Sequence, residues 1–389
     1  MISNPEIRDE NKLLIQLCRL EFSFEQSEKV RSAVLSVKDW KYFTEQANAH
    51  GVGALVYYNL EKPGLLKYLP SEASVFLRDV MILSLARNTH HLAQMKEVLR
   101  LLNGAGIKSV LLKGLALEIT VYGNRGIRQM TDVDVLIAGD ECMKARKLLL
   151  EDGFVSLPVK SPFHNLIIEH TGKHLPSLLK GDFSFEIHHD LFGYRKHMLT
   201  KMFYDTSSGT ETGGERTCIP DPQLLFLYLV RHLHYHEMNN ESQLRLYADL
   251  AVLIEKYPDK IMNTNLLGLG ERAGIENILA GKLYLLREFW GITIPGWMND
   301  HINIRYTEAV TDKFLFFLES PKGNRVTGRD TPYRYVIKEI PGIHRKVLFV
   351  LGDLFPSVQF MKKRYKCSGW KAVLFYPHRV GKLWYLIKW

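Results

Sequence analysis

Arg128-Gln129-Met130-Thr131-Asp132-Val133-Asp134-Val135-Leu136 is the stretch on which the reading of this chain turns. Val133, Val135 and Ile137 form an apolar row of period two, which predicts a strand over 133–137 with its valines in a core. Asp132 and Asp134, two apart, then project together from the opposite face. Two carboxylates in one small volume are costly to keep ionised without a cation, and hard oxygen donors so close together suit Mg²⁺ or Mn²⁺. Alone, such a pair is more often a solvated surface feature. Its neighbours raise it.

Upstream, Ser109 to Leu112 reads as a second short strand that runs into Lys113-Gly114 and a helix. Glycine at that turn lets a phosphate approach closely, and the start of the helix favours negative charge. Arg125 and Arg128 supply cations for a polyphosphate, Arg128 standing four residues ahead of Asp132. Downstream, Phe183, Phe185 and Ile187 alternate with Ser184, Glu186 and His188, which predicts a third strand. Glu186, 52 residues beyond Asp134, is the lone acid on its polar face. Three carboxylates on neighbouring strands can hold two metal ions, one polarising an attacking hydroxyl and one carrying a triphosphate.

Farther out, 389 residues with 46% hydrophobic and 24% charged positions describe a globular chain of roughly two or three domains, and exclude disorder, collagen and a disulfide scaffold. Helical spacing dominates the first hundred residues, with Leu92, Met95, Leu99 and Leu102 leading to a stop at Asn103-Gly104. Thr206 to Glu215, TSSGTETGGE, is polar and glycine-rich and reads as a linker. Pro220-Asp221-Pro222 opens a return to helix that continues to about Leu318. The expected fold is α+β: a small mixed sheet at 104–205, between a helical region 1–103, a helical region 216–320 and a tail 321–389. Cys18, Cys142, Cys218 and Cys367 make no CxxC pair, which points to a reducing compartment. MISNPEIRDENK has no apolar core and no stretch reaches the ~18 apolar residues of a membrane span. A cytoplasmic protein is expected, with any membrane contact peripheral.

These residues resemble a known family. Leu111-Leu112-Lys113-Gly114, Tyr122, the Arg128 to Leu136 stretch and FEIHHDLF at 185–192 look like the core of the uncharacterised bacterial nucleotidyltransferases, within the polymerase-β-like superfamily. That resemblance covers about 80 residues in its motifs, with compatible helices to about residue 260, including Arg245 to Leu253 with Asp249. It implies metal-dependent transfer of a nucleoside monophosphate from an NTP to an acceptor, with release of pyrophosphate. On that pattern Asp132, Asp134 and Glu186 are catalytic and bind Mg²⁺ or Mn²⁺, and Glu186 helps activate the acceptor hydroxyl. Lys113, Gly114 and Arg128 position the NTP phosphates. The acceptor stays open among a protein, a sugar and a nucleic acid. Where the superfamily carries Gly-Ser, this chain has Gly114-Leu115 and offers no hydroxyl. The alternative is therefore a catalytically degenerate nucleotide-binding or membrane-associated scaffold.

Other features have plainer readings. His232 and His236, four apart on a helix, lack a third ligand at metal spacing and read as a polar helix face. His188 shares the face of Glu186, and His189 should turn toward the core. His170 and His174 lie in an unassigned segment, and Gly268 to Gly274 is a helix connection. Residues 321–389 hold 15 basic and 3 acidic residues, a net of +12, so residues 1–320 carry −3 of the chain's +9. That tail interleaves Lys362, Lys363, Arg364 and Lys366 with Trp370, Phe375, Tyr376, Trp384, Tyr385 and Trp389. Such a mixture suits a membrane surface, a nucleic acid or packing on its own protein.

Overall fold

A computed structural model describes residues 7–123, 126–193, 196–302, 307–321, 337–338, 340–378 and 380–381. Arg125, Trp384, Tyr385 and Trp389 lie outside them. Seven strands form one mixed sheet: β1 (Val110–Leu111), β2 (Val133–Leu136), β3 (Val155–Ser156), β4 (Leu178–Lys180), β5 (Phe183–His188), β6 (Ser208–Thr212) and β7 (Glu215–Ile219). Their order is β3-β4-β5-β2-β1-β7-β6. β2 runs parallel to β5 and antiparallel to β1, which places the segments carrying Asp134 and Glu186 side by side. The fold is the α+β arrangement expected, with helices before and after the sheet.

One expectation is overturned. The glycine-rich segment read as a linker is a β-hairpin, β6 to β7, turning at Gly213 and Gly214, both with positive φ. Polar residues suffice because β6 is an edge strand that needs little core, and β7 continues the sheet by pairing in parallel with β1. The sheet therefore runs to Ile219 rather than ending near 205.

The period-two row behaves as its spacing predicts. Val133 and Val135 are buried, as are Phe183, Phe185 and Ile187. The 34-residue helix Ser71–Gly104 crosses this apolar side, and its His91 ring meets Phe183 edge-on at 5.7 Å. It ends where Asn103-Gly104 signalled a stop. The helix Pro222–Met238 begins with Asp221 accepting hydrogen bonds from the backbone N–H groups of Gln223 and Leu224, with Pro222 in its first turn where no partner for its nitrogen is needed. The segment after the first helix, Asp9–Leu17, closes on the end of the helix Glu276–Trp290: Arg19 Nη2 donates to the Trp290 carbonyl at 2.8 Å and Trp290 Nε1 donates to the Cys18 carbonyl at 3.1 Å. One continuous apolar cluster joins them to the sheet. All four cysteines are unpaired in disulfides.

The described part of the basic tail packs on its own chain. The helix Ile343–Leu354 lies against Pro162–Asn165, where Asp353 is bonded to Lys160 and faces His164. A Cβ at Gly352 would come within 2.6 Å of the His164 ring, so glycine permits that approach. Ser357 N donates to the Lys160 carbonyl and Met361 on the helix Val358–Tyr365 is fully buried. No helix among the described residues is long and apolar enough to cross a membrane.

Candidate functional site

Parallel pairing of β2 with β5 sets Asp134 opposite Glu186 and Leu136 opposite His188. His188 Nε2 lies 2.7 Å from Asp134 Oδ1 and 3.6 Å from Glu186 Oε2. Donor atoms of Asp134, Glu186 and His188 all fall within 4.8 Å of one another. Glu186 is aimed from its other side, since Ser177 Oγ donates to its Oε1 at 2.8 Å and His174 Nε2 stands 3.8 Å from Oε2. His188 Nδ1 is buried and has no hydrogen-bond partner among the described residues. This donor set, two carboxylates and an imidazole, fits a divalent cation of the Mn²⁺ or Mg²⁺ type.

Asp132 sits one residue ahead of β2, half-buried, and takes a hydrogen bond from Thr131 Oγ1 at 3.0 Å. It is not part of the close cluster, yet its charge is felt there. The Asp134 carboxylate, together with burial, raises the Asp132 pKa above the usual range. Burial alone would also raise Asp134, but Lys113 and His188 beside it overcome that and hold it well below the usual range. Glu186 is lowered as well, burial being outweighed chiefly by the His188 contact.

Lys113 donates from Nζ to Asp134 Oδ1 at 2.6 Å. Its backbone takes a left-handed φ of 45°, uncommon for a residue with a side chain, at the point where β1 turns into the short helix Lys113–Leu117. Lys113, expected from the sequence to position phosphate, here neutralises the buried acid. Arg128 likewise turns to a protein partner. Its Nε and Nη2 donate to the two oxygens of Asp249 at 2.9 and 2.7 Å, and Tyr122 Oη adds a third bond at 2.9 Å. All three groups are buried. Asn88 Nδ2 fixes the Arg128 carbonyl at 2.8 Å. A Cβ on Gly114 would lie 2.3 Å from Arg128 Nη1, so this glycine gives the guanidinium its passage.

Lys113, Arg128, Asp132, Asp134, Glu186 and His188 line an open cleft of about 2940 Å³, roughly three times the upper end of ordinary small-ligand pockets. The helix Pro222–Met238 also lines it, through Tyr228, Arg231, His232, Tyr235 and His236. His232 and His236, read from the sequence as a plain polar face, stack edge-on at 4.5 Å on that helix. Burial, then the charge of Lys113, holds His232 well below the usual imidazole range and His236 at about 4. His189 also lines the cleft rather than the core, lowered by burial to about 4. The stripe was visible in the sequence as polar residues at helical spacing in an otherwise apolar segment; what it faced was not. Lys363, Arg364 and Lys366 of the tail border the same cleft.

The mixed sheet thus brings acids of adjacent strands together at a cleft lined by charged residues of both signs. The chain belongs to a family of nucleotidyltransferases: the family model described as "uncharacterised nucleotidyltransferase" matches residues 36–291. No curated protein matches the chain. Among solved structures, an antigenic nucleotidyltransferase-like protein from Paracoccidioides brasiliensis is similar at 14% identity, with 55% of this chain and 93% of that one covered and a TM-score of 0.31. A likeness that slight adds nothing to the argument.

Proposed function

We propose that the chain is a metal-dependent nucleotidyltransferase that moves a nucleoside monophosphate from an NTP, ATP included, to an acceptor hydroxyl. The observation that carries this reading is the pairing of Asp134 with Glu186 across two parallel strands, within a chain of this family. Asp132, Asp134 and Glu186, joined by His188, would hold Mg²⁺ or Mn²⁺. Bound there, the ions would neutralise the triphosphate and polarise the acceptor hydroxyl. The acceptor oxygen bonds to the α-phosphorus, the link to the β-phosphate breaks, and pyrophosphate leaves with its electron pair. Ser177 and His174 keep Glu186 turned toward the reacting region, where it helps take the hydroxyl proton. Lys113 serves the acids of the cleft, free to meet a phosphate when another cation shares Asp134. Arg128, through Asp249, fixes the segment that delivers Asp132, and Gly114 makes room for it.

The cleft is large enough for an NTP together with part of an acceptor. Purified protein with Mn²⁺ and an α-labelled NTP is expected to label an acceptor supplied from cell extract, while γ-label is released as pyrophosphate. Asp132→Asn combined with Asp134→Asn should abolish labelling and weaken Mn²⁺ binding in calorimetry. Equal labelling by the double variant would remove these carboxylates from the account. A second reading, nucleotide binding without turnover, is favoured by the Lys113 contact to Asp134 and by Leu115 in place of a hydroxyl residue. It predicts ATP binding with no pyrophosphate release in any acceptor screen.

A further inference from the structure

Most cations around the cleft are already committed to protein partners. Lys113 is spent on Asp134, Arg128 on Asp249, and Arg245 donates to the Gln129 carbonyl. Two are not. Lys173 and Arg231 both line the cleft, and neither meets a carboxylate within ion-pair distance among the described residues. Arg231 Nε is buried with no acceptor. Lys173 Nζ rests 4.3 Å above the ring of Tyr235, one helical turn beyond Arg231.

The backbone of Lys173 is anchored. Its carbonyl accepts from the backbone N–H groups of His189 and Asp190 at 3.1 and 3.2 Å, tying it to the end of β5. The nearest acid, Asp190, is turned to other work: its Oδ1 accepts from Phe192 N, Gly193 N and Thr200 Oγ1. Two like charges kept close in a cleft wall without an anion repel each other and lose solvation. Burial, then Arg231 and Lys113, brings Lys173 down to about 7. An arrangement that costs stability and lies in a substrate cleft is what an anion subsite requires.

We propose that Lys173 and Arg231 form a polyphosphate subsite that takes the triphosphate of the incoming nucleotide, the ring of Tyr235 fixing the lysine. This rests on the cleft being a nucleotide site. Inorganic tripolyphosphate, ATP and AMP, titrated into the full chain by calorimetry, test it. Tripolyphosphate and ATP should compete, and Lys173→Met, Lys173→Gln and Arg231→Met should each weaken both by about tenfold or more. AMP binding should change far less, and a charge-keeping Lys173→Arg should retain binding. The melting temperature of Lys173→Met should be no lower than that of the wild type, since the side chain it removes is an uncompensated cation. If the variants bind tripolyphosphate as the wild type does, the subsite is wrong and the nucleotidyltransferase reading stands. If tripolyphosphate fails to bind while nucleotidyl transfer is active, the subsite again falls alone. If AMP loses as much as ATP, the residues serve a monophosphate and the proposal is overturned. If tripolyphosphate binds through these residues while no NTP is ever turned over, the subsite stands and the catalytic reading fails.

Discussion

Asp249 accepts three hydrogen bonds in a buried position, two of them from Arg128, and such a pair is costly to break on one side only. Asp249→Ala should cost about 3–5 kcal/mol because it leaves Arg128 charged and unpaired, and urea unfolding monitored by circular dichroism would read it. Replacing both partners, Arg128→Met with Asp249→Leu, should recover much of that loss; a double variant as unstable as the single one would show that packing, not charge, is at stake. Lys173 supplies a pH signature. Its position near 7 reflects burial, Arg231 on the neighbouring helix, Lys113 after β1 and the opposing pull of Asp190. Anion affinity should be full below that value and fall as the lysine loses its proton at higher pH. Tripolyphosphate itself gains charge over the same range, so a decline identifies the lysine. Lys173→Arg should flatten the profile, and a profile equally steep in that variant would assign the titration elsewhere. At this scale the sequence displayed Asp132, Asp134, Glu186 and Lys113 because motif spacing and strand period report them directly. Asp249 and Lys173 were not legible as partners, since what pairs with Arg128 and what deserts Lys173 depend on contacts across 121 and more residues or on missing ones.

The strands β2 and β5 were legible to within a residue because alternation of large apolar side chains encodes them. The hairpin β6 to β7 was not, because an edge hairpin of Ser, Gly, Thr and Glu has the composition of a linker, and only its pairing with β1 distinguishes them. The helix Pro222–Met238 shows a similar ambiguity. Its polar stripe could face bulk solvent or a cleft, and periodicity alone does not separate the two. In the tail, the helix Ile343–Leu354 is fastened through Asp353, which is buried beside Lys160 and His164. Asp353→Ala should release that element, seen as faster amide hydrogen exchange across 343–365. Unchanged protection would mean that apolar contacts hold the helix unaided.

Across the whole molecule, the +9 charge divides between a near-neutral body and a tail of +12. Composition suggested a separate appendage, whereas the described part of the tail folds back and sets Lys363, Arg364 and Lys366 at the edge of the cleft. Three cations of the tail are thereby added to a cleft whose other lining carries acids and bases in near balance, and their pull on an anion would weaken with salt. Helices before and after the sheet share one apolar core, so the carboxylates of β2 and β5 rest on a scaffold drawn from the length of the chain. The central claim is that Asp132, Asp134 and Glu186 hold catalytic divalent ions under a triphosphate. Its most direct test is a crystal structure soaked with Mn²⁺ and a non-hydrolysable NTP analogue, read by anomalous scattering. The account predicts Mn²⁺ peaks against these three carboxylates, with the triphosphate running from them toward Lys173 and Arg231. Nucleotide bound with no Mn²⁺ at the carboxylates, or Mn²⁺ bound at a different set of residues, would contradict it.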